Sequence, residues 1–361
     1  MNAPSIAASG VEAPADNDNP ILSLPKARST VQSPLYISPP QNRDPVPPDQ
    51  GEVNLDHMEL LIHLSLEKDM FNLGFGIEEY HPSGMMLALG TSLKSPLLMH
   101  QMLAFSSRHL AYVHPERFTF YERQAVALQT RAISLFNVTN TATGINQSNC
   151  VVVLLFASIL GHHTLADALA LRPPGGIHAF VEHYIQCIET HRGIYTIAKT
   201  AWPMLMESEL EPILSLSYAF TSREPKGHHC ESAFGMVNGS SDLDEEEREA
   251  CLSALRYLQV GMDAATSDQE ESNRYHMICT WTMLLTPTFT RLLSTMRPEA
   301  LVILAYYAEM LHHGRELWQV CGAGIYILGL IIDYLGADWC RWLDRPRKTV
   351  FGRINEPLDS T

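Results

Sequence analysis

Between Arg297 and Pro346 the chain is apolar at nearly every helical position, and this constrains the fold more than any other stretch. It reads RPEALVILAYYAEMLHHGRELWQVCGAGIYILGLIIDYLGADWCRWLDRP. Pro298 and Glu299 suit a first helical turn, where proline loses no bonded N–H and a carboxylate meets the positive helix end. Leu301, Leu304, Ala305, Ala308 and Leu311 follow helical spacing, and Val302, Ile303, Tyr306, Tyr307 and Met310 fill most of the remaining circumference. A helix apolar nearly all round is a buried helix. A turn at Cys321-Gly322-Ala323-Gly324 leads into a second apolar helix from Ile325 to Leu335, followed by Trp339 and Trp342. The spacing predicts a helical hairpin at the centre of a domain, with no catalytic pattern in it.

The rest of the chain reads as helices in the same way. Asn54 caps a helix to about Lys68, and Ser95-Pro96 opens another to about Tyr112. Pro115-Glu116 opens a third to about Phe136, in which Phe118, Tyr121, Ala125, Leu128, Ala132 and Leu135 alternate spacings of three and four. That is a seam for a neighbouring antiparallel helix. Further helices are expected near residues 147–162, 177–198, 243–262 and 273–285. The segments 172–176 and 221–241 read as loops. No alternating strand pattern and no fixed repeat is evident. The expected fold is all-α, an irregular multi-helix array of antiparallel helical pairs.

Residues 1–50 hold ten of the 22 prolines and read as a disordered Pro-rich tail. Residues 51–350 read as the helical domain, and 351–361 as a flexible C-terminus. Hydrophobic residues make up 46% of the chain, enough to bury a core without disulfides or metal. The seven cysteines are widely scattered, and no two have CxxC spacing. They read as reduced thiols in a core. The longest apolar runs, near residues 150–160 and 325–332, read as too short for a membrane span. The net charge of −15 repels phosphate, so sequence-specific DNA binding by this chain alone is not expected.

Few constellations carry chemistry. His183, Cys187 and His191 share one helix face at i, i+4 spacing. Such spacing can hold a metal, but no fourth ligand is visible, so no metal site is expected. The acidic run Asp242–Glu247 lacks the paired spacing of an all-α terpene synthase, and a helix N-terminus explains it. No HExxH, GxSxG, P-loop or GxGxxG occurs. Neither catalytic residues nor cofactors are predicted.

The hairpin stretch resembles the C-terminal end of the regulatory domain of fungal zinc-binuclear-cluster transcription factors, in the sterol-uptake-regulator branch. The matching features are Pro298–Leu301 followed by LAYYAEMLHH, Trp318, the glycines after it, Trp339, Trp342 and Pro346. Upstream, LDHMELLIHLSL at Leu55–Leu66 resembles the opening helix of that domain, and PLLMHQMLAFSSRHLA at Pro96–Ala111 its second conserved helix. The similarity covers about residues 52 to 346. The family often has Trp just before the final Pro, where this chain has Arg345. The family's six-cysteine zinc cluster has no counterpart ahead of Cys150.

The resemblance implies a nuclear transcriptional regulator or co-regulator of fungal metabolic genes, such as a secondary-metabolite gene cluster. It would work with a DNA-bound transcription factor or by self-association. The alternative is a stand-alone helical protein that binds an apolar, sterol- or terpenoid-like molecule. In sterol-sensing members this end of the domain forms an apolar pocket. Trp318, Cys321, Gly322, Gly324, Trp339 and Trp342 are therefore the candidate pocket or switch residues.

Overall fold

The computed structural model describes residues 53–71, 77–270 and 273–352. The expected tail 1–50 lies outside the described residues. Of the expected flexible C-terminus, only Phe351 and Gly352 are described, and Phe351 ends the last helix. The described residues form fourteen α-helices and no strand. In chain order these are α1 (Leu55–Leu66), α2 (Ile77–Ser92), α3 (Pro96–Val113), α4 (Phe118–Thr143), α5 (Cys150–Ala170), α6 (Gly176–Leu205) and α7 (Glu211–Thr221). They continue as α8 (Glu231–Gly239), α9 (Glu245–Ala265), α10 (His276–Leu284), α11 (Pro287–Ser294), α12 (Pro298–His313), α13 (Ala323–Leu335) and α14 (Cys340–Phe351).

Local chemistry sets many of the helix starts. The Asn54 side chain accepts from the His57 N–H at 3.0 Å and caps α1. The acidic run begins α9 with a capping box. Asp244 Oδ1 accepts from the Glu247 N–H at 2.8 Å, and Glu247 accepts from the Asp244 N–H. Proline occupies the first turn of α3, α7, α11 and α12. The segment 221–241, expected as a loop, contains α8. Its short apolar set, Ala233, Met236 and Val237, is buried against α9. Tertiary burial made a helix where the local signal was weak.

α12 is buried along almost its whole length, from Glu299 to Leu311. It packs on α9, α13 and α14. Tyr307 stacks on Trp281 of α10 at 4.4 Å between ring centroids and donates its hydroxyl to the Ile278 carbonyl at 2.8 Å. This largest core joins residues of α5–α14. A second core joins residues of α1–α5 with Trp318. α3 and α4 reverse on each other through a short connection. Tyr121, Ala125, Leu128 and Ala132 of the expected seam are buried, whereas Phe118 is exposed.

α5 corrects one expectation. Its apolar run continues through His162-His163 to Ala170, and by length and composition it could cross a membrane. More than half of it is buried within the protein, mainly between α3 and α6. A core helix of a folded domain meets the same criterion.

Candidate functional site

A cavity of 590 Å³ lies between the cores, lined by α2, α3, α5, α6, α7 and α10. Its walls are mostly aliphatic or aromatic, including Met85, Met102, Leu154, Ile194, Ile213 and Met283. Tyr195 and Lys199 of α6 and Tyr218 of α7 line it and are exposed, so it opens between these two helices. Met102, Cys279 and His276 are buried and form its inner part. The volume falls in the range of small-molecule sites, roughly 300–1,000 Å³.

Sequence spacing explains the α6 wall. Ile194, Tyr195, Ala198, Lys199 and Trp202 recur at intervals of three and four, on one helix face. α7 answers from across the mouth, with the Tyr218 ring 6.0 Å from Trp202.

The polar groups at depth are few. His276 meets the Thr280 hydroxyl at 3.1 Å and stands edge-on to Phe220, centroids 4.9 Å apart. Burial pushes His276 well below the ordinary histidine value, and neighbouring His162 adds to that. His162 is also in the wall, and burial holds it at about 4. Its Nδ1 is buried without a hydrogen-bond partner. Both rings are neutral at pH 7, and the unpartnered His162 Nδ1 is the ring nitrogen left to meet a bound molecule.

The His183, Cys187, His191 face does not converge on a metal. The exposed His183 ring meets the Ala179 carbonyl at 2.7 Å. His191 is buried, with Nε2 donating to the Gly161 carbonyl at 2.9 Å and Nδ1 facing the Thr282 hydroxyl. Both of its ring nitrogens are therefore spent on tying α6 to α5 and α10. Among the described residues, no group of three or more His, Cys, Asp or Glu side chains is placed to hold a metal.

The buried histidines make the fold acid-sensitive. Burial is the first cause holding His109, His162, His191 and His313 at about 4, against an ordinary 6.5. A histidine lowered in the folded state stabilises the fold above 6.5, and that contribution is lost as pH falls toward 4. The raised carboxyls of Glu122 and Glu309 act in the opposite direction, but they are two groups against four. The urea midpoint will therefore fall steeply from pH 7 to pH 5. A midpoint flat across that interval would contradict this assignment.

None of the six residues singled out from the sequence lines the cavity. Trp318 belongs to the second core, near Phe105 and His109 with ring centroids at 5.4 and 4.7 Å. Its indole N–H donates to the Met70 carbonyl at 3.1 Å, and Gln319 donates to the same oxygen at 3.0 Å. This pair fastens the turn before α13 to the segment after α1. Cys321, not a glycine, is the left-handed residue of the turn, with φ 45°. Gly322 has φ −81° and precedes α13, and Gly324 lies in its first turn. Trp339 and Trp342 are half-buried against the main core, with the Arg341 guanidinium 4.2 Å over the Trp342 ring.

The cavity residues went unnoticed because six helices spread over residues 71–284 supply them, each reading as ordinary core. The usable signal was on α6, where aromatic Tyr195 and Trp202 flank Lys199 on an otherwise apolar face. No protein-family model matches the chain, and no curated protein shows a significant match to it.

Proposed function

We propose that this chain is a helical regulatory domain that binds an apolar small molecule, and that the occupied domain acts as a transcriptional regulator or co-regulator of fungal metabolic genes. The observation that carries the binding reading is the cavity itself. Its volume of 590 Å³ and its mostly apolar walls match the size and lining of small-molecule sites. The regulatory reading rests on the resemblance of residues 52–346 to the fungal regulatory domain. The net charge of −15 fits a chain that reaches DNA through a partner rather than by its own phosphate contacts.

The test has two arms. Ala198→Phe places a ring into the cavity wall from a half-buried position. The variant will stay folded and lose binding of a fluorescent apolar probe by tenfold or more. Tethered to a heterologous DNA-binding domain, the wild-type chain will alter reporter output and Ala198→Phe will alter it differently. Unchanged probe binding in the filled variant removes the cavity reading. Probe binding without any reporter effect leaves the stand-alone binding protein as the better description.

A further inference from the structure

Among the described residues, Lys199 supplies the one fixed charge in the cavity wall, and none of the lining side chains is acidic. Among the described residues, Lys199 has no ion-pair or side-chain hydrogen-bond partner. Glu207, Glu209 and Glu211 follow closely in sequence, yet none of them pairs with it and none enters the wall. The lysine therefore does no structural work through its ammonium. It lies on the α6 face that carries Tyr195, Ala198 and Trp202, so its apolar stem covers the rim while the charge stays wet. Tyr195, Ser217, Tyr218 and Trp202 surround the mouth with hydroxyl and indole donors. Further in, the polar groups are neutral.

We infer that the natural ligand is an amphiphilic monocarboxylate, with its apolar body in the cavity and its carboxylate at the mouth on Lys199. This deepens the proposed function and rests on it. A single lysine is a point charge suited to one negative charge. A phosphate would bring up to two, and would call for an arginine fork or a second base, which the wall lacks. The overall charge of −15 also works against a more highly charged guest. A neutral sterol or hydrocarbon would leave Lys199 without a role.

Binding of cis-parinaric acid and of its methyl ester, followed by fluorescence, tests this in wild type, Lys199→Met, Lys199→Arg and Ala198→Phe. In wild type the acid will bind about fivefold tighter than the ester, the scale of one partly exposed charge pair. The preference will shrink with added salt. Lys199→Met keeps the apolar stem, so it will bind the ester as before and lose the preference. Lys199→Arg will keep most of it, and Ala198→Phe will bind neither probe. Equal binding of acid and ester by wild type, or a preference that survives Lys199→Met, overturns the carboxylate assignment alone. Failure of both probes to bind wild type, or undiminished binding by Ala198→Phe, overturns the cavity reading beneath it.

Discussion

Gly324→Ala will destabilise the protein by about 2–3 kcal/mol, whereas Gly322→Ser, two residues away, will leave stability almost unchanged. A Cβ built on Gly324 would lie 2.5 Å from the Ala308 carbonyl oxygen and 2.9 Å from the His312 nitrogen. Both are backbone atoms of α12, so no side chain can swing aside. α12 and α13 must separate, and the buried run from Leu304 to Leu311 on α12 would be disturbed with them. At Gly322 an added Cβ meets nothing within 4 Å, and the backbone is in an ordinary region. Serine there also supplies an N-cap acceptor for α13, which currently has none. Urea unfolding of both variants separates them. Equal loss in both would show that the turn is sensitive for a reason other than this close approach.

Arg345→Met will cost about 2–3 kcal/mol at pH 8 and less at pH 5. Glu309 of α12 is 0% exposed. Its carboxylate meets Arg345 Nε at 3.2 Å and accepts from the Thr349 hydroxyl at 2.9 Å, both from α14. Arg345 also donates to His229 Nδ1 from the segment before α8. One guanidinium thus ties three parts of the chain together, at the position where the resembled family often carries Trp. Burial raises the Glu309 carboxyl, and Arg345 and Thr349 pull it back. Removing Arg345 removes the larger pull, so the carboxyl rises further.

A carboxyl raised in the folded state stabilises the fold below about 4.5, its ordinary value, and loses that contribution as pH climbs through the raised value. The variant therefore suffers most where Glu309 must ionise unpaired. Because the Arg345 side chain is 39% exposed, the penalty sits below the range for a fully buried pair. The double variant Glu309→Leu, Arg345→Met should recover much of the loss. A cost independent of pH would locate the effect in packing of the arginine stem instead.

The helices themselves were legible because their signals are local. Asn54, Pro96, Asp244 and Pro298 mark their starts by satisfying or sparing the first N–H groups, and these marks need no knowledge of neighbours. The central place of α12 was legible too, since an all-apolar surface has only one stable environment. α2, α7, α8, α11 and α14 were missed; of these α7, α8 and α11 are eleven residues or fewer, too short for periodicity to outweigh turn residues. They persist because larger helices cover their apolar sides. The run at α5 was read as ending near Leu160, although His162-His163 can remain helical when one ring faces a cavity and the other the core.

The sequence by itself determined that this chain would be all-helical, which helix would be most buried, and its net charge of −15. Each follows from residue-level properties that add along the chain. Only the tertiary structure decided where the empty space lies. The Trp318–Trp342 region was expected to border a pocket because its flanking helices are apolar on nearly every face and the resemblance implied one there. In the fold its indoles close cores and its glycine admits a helix crossing. The cavity arises instead where six helices fail to fill the volume between them. A volume left over by packing belongs to no single segment, so no segment's sequence can announce it.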